Sequence, residues 1–140
     1  MAILNVGRLF YLAAIGGSIY LLIELAWRGY THWTMGVVGG ICFVLLGSIN
    51  KWAPFGNSLL AQATAGTLFV TSIELIAGMI LNIWLHLAVW DYSNEPLNLY
   101  GQICVPYMLL WFPLSFAAIL LFAWLDYFLF QSDRPRFRLL

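Results

Sequence analysis

Apolar residues run through this chain in four long stretches, 9–27, 34–50, 65–89 and 103–130, separated by short polar segments. A helix that is apolar around most of its circumference has to be covered on every side, by a large core or by lipid. Crossing about 30 Å of hydrocarbon takes roughly 20 mostly apolar residues, and the four stretches meet or approach that length. The pattern therefore predicts an all-α integral membrane protein, a four-helix transmembrane bundle in one domain over 1–140, with a short basic tail at 131–140. The first stretch is too long for a signal peptide, contains Glu24, and meets Arg28 where small cleavage-site residues would stand, so it is expected to persist as a helix. The second is short and glycine-rich. The fourth contains Pro106 and Pro113, which lack an N–H and are expected to kink it.

Composition removes the soluble alternative: 63% of residues are hydrophobic and 9% charged, against roughly 25% charged in soluble domains. Six basic residues balance six acidic ones, which leaves no basic surface for nucleic acid. Five of the six basic residues, Arg8, Lys51, Arg134, Arg136 and Arg138, fall on the side that holds both termini, with only Arg28 opposite. That bias predicts cytoplasmic termini in a multi-pass protein of the cell membrane. Trp27, Tyr30, Trp33, Trp84, Trp90, Tyr92 and Tyr100 gather toward the outer boundary, as interfacial anchors do. Cys42 and Cys104 lie in apolar runs far from any partner at metal-ligand spacing and read as packing residues; no metal and no cofactor is expected.

Ionisable side chains inside a span cost on the order of 3 kcal/mol or more at the bilayer centre, so they face the interior and have partners. On the third helix Thr67, Thr71, Glu74, Gly78, Asn82 and His86 follow at spacings of three or four, forming one polar face with Glu74 near its middle. On the first, Ala13, Gly17, Tyr20, Glu24 and Arg28 share a face, and Arg28 stands one turn beyond Glu24, where it can neutralise it. Glu74 supports two readings: a carboxylate site shared with Glu24 for a cation, proton or polar substrate, with Tyr20, Thr71, Asn82, Arg28 and His32 around it, or a protonated side chain bonded across a helix interface. His32, in a short loop, fits an interfacial hydrogen bond. Gly36, Gly39, Gly40 and Gly47 give the second helix a small-residue face for close helix approach, within the chain or in a dimer.

The two halves also resemble each other: Ile23-Glu24-Leu25 recurs as Ile73-Glu74-Leu75, and Gly40-Ile41-Cys42 is echoed by Gln102-Ile103-Cys104. A duplication of helical hairpins in parallel orientation would relate Glu24 and Glu74 by an axis along the membrane normal.

The segment between the third and fourth helices, Trp90-Asp91-Tyr92-Ser93-Asn94-Glu95-Pro96-Leu97-Asn98, followed by Gly101, is rich in residues that fix turns. It is open to reading as a lid over an outward cavity or as a rigid connector. With Trp90, Asp91, Tyr92, Ser93, Pro96, Asn98 and Gly101 in these places, it resembles the WDYS-x-x-P-x-N-x-x-G signature of the CmpB-like ABC-transporter type IV family. Glu24, Arg28-Gly29 and Glu74 also fit positions of that family, so the resemblance runs from about Gly16 to Trp111. The departure is Thr31-His32-Trp33-Thr34-Met35, where many members are richer in Gly and Pro. The resemblance implies a small polytopic membrane protein connected with transport. The chain has no Gly-rich phosphate loop ending in Lys-Ser or Lys-Thr, so any ATPase would be another chain.

Three functions follow from these features. The leading one is a small transporter or channel subunit, working as a homo-oligomer, a dimer first, and moving an ion or small polar solute past Glu74 and Glu24. The second is a structural or regulatory subunit that binds a membrane-protein partner or lipid through the glycine faces. The third, an enzyme acting on lipid with Asp91, His32 and Glu24 converging at the outer side, has no spacing that requires it.

Overall fold

The computed structural model describes residues 5–52 and 55–140. In chain order they form α1 (Val6–Arg28), α2 (Trp33–Trp52), α3 (Leu59–Gly78, continued by a π-helical turn over Met79–Trp84), a two-stranded antiparallel hairpin of β1 (Asn98–Leu99) and β2 (Ile103–Cys104), and α4 (Val105–Phe130). Among the described residues four helices are long and apolar enough to cross a membrane: α1, α2, α3 with its π turn, and α4. Their polarity is inverted relative to a soluble protein. On α3 the buried face carries Gln62, Thr67, Thr71 and Glu74, while Leu68, Phe69, Ile76 and Ile83 point outward. Water would not tolerate that outward face, whereas lipid leaves polar groups no partner except one another, so they turn inward. The chain is a multi-pass membrane protein.

Local chemistry sets the helix ends. The Asn5 side chain accepts from the Gly7 amide (3.0 Å) at the start of α1, and Gly29, in the left-handed region at φ 78°, ends it. The third helix starts at Leu59, well before the expected 65, because Ser58 caps it by accepting from the Ala61 amide and the C-terminal segment returns to its first turn. There the Arg138 carbonyl accepts from the Leu59 amide (2.9 Å) and the Leu139 carbonyl from Leu60 (3.1 Å). Two of the four amides that a helix start leaves unpaired are satisfied in this way. The basic tail is thus a docked segment, with Phe137 against the core.

The third helix also ends early, at Trp84 rather than 89. The π turn widens the helix, His86 and Ala88 adopt left-handed conformations, and His86 leaves the polar face it was expected to extend. The fourth helix begins at Val105 because Ile103 and Cys104 pair with Asn98 and Leu99. Pro106 then falls in its first turn, where a missing N–H removes no bond, so of the two prolines only Pro113 lies in the helix interior. In the internal comparison, Cys42 lies within α2 and Cys104 in β2, so the second pair of tripeptides occupies different elements.

The glycine face of α2 packs against neighbouring helices of the same chain. A Cβ on Gly17 would overlap the Gly36 carbonyl, one on Gly40 would lie 2.6 Å from the Ala13 carbonyl oxygen, and Gly39 and Gly47 lie under Tyr20 and Phe122. Backbones at this range give α1 and α2 the most extensive interface in the molecule. Helix α4 packs on α2 and α3 and meets α1 sparsely. The two are tied near one end by an Arg8–Asp126 ion pair, with Arg8 also over the Phe130 ring, and near the other by Trp27 Nε1 donating to Tyr107 Oη (3.4 Å). Between these ties Leu12 shares a core cluster with Phe122 and the Tyr20 ring lies 6.0 Å from that of Trp111, but the two helices otherwise meet little.

Candidate functional site

The gap between α1 and α4 is a cavity of about 260 Å³, floored by α2 and α3. Its walls are almost wholly apolar, with Phe43, Leu46, Val70 and Ala118 among them, and its polar side chains are Tyr20, Glu74 and Ser115. Glu74 is 6% exposed. It stands roughly 15 Å before the Trp84 end of its span, at ~1.5 Å per residue. Tyr92 Oη donates to Glu74 Oε1 (2.9 Å) and Trp111 Nε1 to Oε2 (2.8 Å). Both donors are neutral, and among the described residues no basic side chain pairs with this carboxylate.

Tyr92 belongs to the loop between α3 and α4, so the loop must dip into the protein to reach Glu74. Irregular backbone at membrane depth survives only if its polar groups find partners. The Leu85 amide donates to the Ile80 carbonyl (2.9 Å), Leu87 to Leu81 (2.8 Å), and the Val89 amide to Asn82 Oδ1 (2.7 Å). The Val89 carbonyl accepts from Arg28 (3.0 Å), whose other nitrogen is paired with Glu24. Asn82 Nδ2 donates to Gln102 Oε1 (2.8 Å), and Trp90 Nε1 donates to the Gln102 carbonyl (2.9 Å). Gly78 leaves room for this clamp, since a Cβ there would lie 2.5 Å from Gln102 Oε1. Val89 and Trp90 end up buried on Met35. Tyr92 then stacks on Tyr107, with centroids 4.6 Å apart and planes 9° from parallel, which aims its hydroxyl at Glu74. Burial and the adjacent Glu74 raise the Tyr92 pKa, which keeps the phenol protonated as a donor.

The rest of the motif shapes the turn. Asp91 accepts from both the amide and the hydroxyl of Ser93, and these bonds hold its carboxyl below the usual range. Asn98 donates to the Ser93 and Glu95 carbonyls and accepts from the Gly101 amide. Gly101, at φ 69°, has no space for a side chain: a Cβ would lie 2.8 Å from Ser93 Oγ. Pro96 is exposed within the turn.

The residues singled out from the sequence therefore separate. Glu74, Tyr20 and Trp90 line the cavity, and Tyr92 touches Glu74. Glu24 is buried at 8% exposure and held by Arg28. Arg28 and Asn82 hold the loop. Thr71 turns its hydroxyl to the Thr67 carbonyl (2.8 Å). His32 Nδ1 bonds Thr34 Oγ1 (2.7 Å) at the start of α2. Asp91, His32 and Glu24 thus each bond to a different neighbour. Two members escaped the sequence reading, Trp111 and Ser115. A Trp one and a half turns inside a span is too deep for an interfacial belt, and that depth is the signal that could have found it.

A multi-pass membrane protein with a buried carboxylate beneath a re-entrant loop is the class that fold and site define. Residues 19–134 match the family described as "Putative ABC-transporter type IV" (CmpB), and the chain belongs to that family. It is a membrane protein of a transport-type family. No curated protein and no solved structure matches it.

Proposed function

We propose that the protein is a transporter or channel subunit whose working site is Glu74 with Tyr92 and Trp111. One observation carries the reading: the outer loop is drawn into the protein and held by Arg28, Asn82 and Gln102, and it delivers a hydroxyl to a carboxylate deep in the span. A plain connector between two helices has no need of such a descent, which puts non-helical backbone at a depth where every group must be matched. In this reading the loop is a lid, and Tyr92 and Trp111 hold Glu74 while a solute passes. The termini face the cytoplasm, on the bias of basic residues. The working unit is a homo-oligomer, since the space that four spans enclose at Glu74 is small.

The test is flux across proteoliposomes containing the purified chain, for protons, alkali cations and small organic amines. Glu74→Gln, which keeps shape and removes the charge, is expected to abolish the flux that wild type supports while Glu24→Gln with Arg28→Gln leaves part of it. Flux and stability both unchanged in Glu74→Gln would overturn the reading.

A further inference from the structure

We propose that the cavity between α1 and α4 takes a single-chain amphiphile with an ammonium head, which enters sideways from the lipid and places its charge at Glu74. The inference rests on Glu74 being the working site and adds the class of ligand.

Charge is the first argument. Glu74 is buried against two neutral donors; Arg28 is committed to Glu24 and Arg8 to Asp126. Burial disfavours the charged form of a carboxyl that has no cation beside it, and a ligand ammonium offsets that penalty.

The second argument is an unused acceptor. Ser18, Thr64, Thr67, Thr71 and Ser72 all turn their hydroxyls back to the carbonyl one turn earlier. Ser115 does not: it is 1% exposed, it lines the cavity, and its Oγ bonds to no described residue. It lies one turn, about 6 Å, beyond Trp111 on the same face of α4. An ammonium has three N–H groups to distribute over such acceptors.

The lining decides among cations. An inorganic divalent ion needs about six oxygen ligands, and the cavity offers only the oxygens of Glu74, Tyr20 and Ser115 among apolar walls. Those walls call for a hydrocarbon body. At about 260 Å³ the space is below the roughly 300–1,000 Å³ of drug-sized pockets, which suits one chain rather than a ring system. The approach is lateral, because α1 and α4 meet sparsely on this side of the cavity while the loop packs over the end at Trp90.

The full chain in zwitterionic nanodiscs is titrated at neutral pH with octylamine, octanol, octanoate and ethylamine. Binding is read by tryptophan fluorescence, since Trp90 and Trp111 line the cavity, and by thermal unfolding. Octylamine is expected to saturate at concentrations about tenfold below octanol or lower, with octanoate and ethylamine weaker than both. Glu74→Gln brings octylamine to the level of octanol, and saturable octanol binding to that variant shows the pocket to be intact. Ser115→Ala weakens octylamine about threefold. Octanol matching octylamine on wild type, or an octylamine advantage that survives Glu74→Gln, overturns the proposal. Glu74-dependent amine binding without Glu74-dependent flux supports this ligand and refutes transport. Glu74-dependent flux of inorganic cations without amine preference does the reverse.

Discussion

Glu24 on α1 and Glu74 on α3 sit in the same tripeptide, Ile-Glu-Leu, and meet opposite surroundings. Glu24 has Arg28 one turn away, and the pair continues into the Val89 carbonyl, so its charge is matched and its role is to hold the loop. Glu74 has a phenol and an indole, a cavity beside it, and no cation among the described residues. A carboxylate with a basic partner at i+4 becomes structure, whereas the same carboxylate held by neutral donors has no protein cation to match a charge. Proximity of acidic residues alone does not distinguish the two.

The comparison breaks first at Arg28. Arg28→Gln leaves Glu24 buried without its cation and weakens the hold on Val89; it is expected to cost about 3 kcal/mol, the lower figure for breaking a buried pair, in reversible unfolding in mixed micelles. Arg28→Lys restores only part, since one ammonium does not present the fork that meets both Glu24 and Val89. Next in size is the α1–α2 contact that supports the Glu24 side. Gly17→Ala drives a methyl into the Gly36 carbonyl and is expected to destabilise by about 2 kcal/mol, with no change in octylamine preference.

On the Glu74 side, Asn82→Leu removes the acceptor of the Val89 amide, for about 1–2 kcal/mol. Hydrogen exchange should accelerate over 85–104 and leave α1 and α2 unchanged. The smallest effect concerns Asp91. Its carboxyl is depressed by Ser93, so its contribution to loop order is present above the ordinary carboxylate range of roughly pH 4 and is lost as pH falls through the lower folded value. Exchange of the Ser93 amide should therefore quicken in acid, and Asp91→Asn should flatten that dependence.

Much of this was legible in the sequence for a physical reason: lipid forces uniformly apolar spans, and a polar stripe on one of them can only face inward. Thr67, Thr71 and Glu74 identify the interior face of α3 without any structure, and the spacing of Glu24 and Arg28 places them on one face. What escaped depends on contacts remote in sequence. Tyr92 meets Glu74 only because the π turn and two left-handed residues end α3 early and send the loop back inside, and no periodicity marks such a turn. Ser115 lies on a helix so apolar that nothing singles out a face, and Trp111 is marked there only by its depth in the span. Pro106 changed meaning because two residues of β pairing moved the start of α4, and the docking of the tail on α3 rests on backbone bonds that side-chain patterns do not encode.

The joining of the α3–α4 loop and the intramembrane carboxylate is tested most directly by a double-mutant cycle of Glu74→Gln and Tyr92→Phe on unfolding free energy. A coupling of about 1.5 kcal/mol or more is predicted, as for a hydrogen bond to a charged group. Additivity to within about 0.5 kcal/mol would contradict it, because residues that do not touch behave that way.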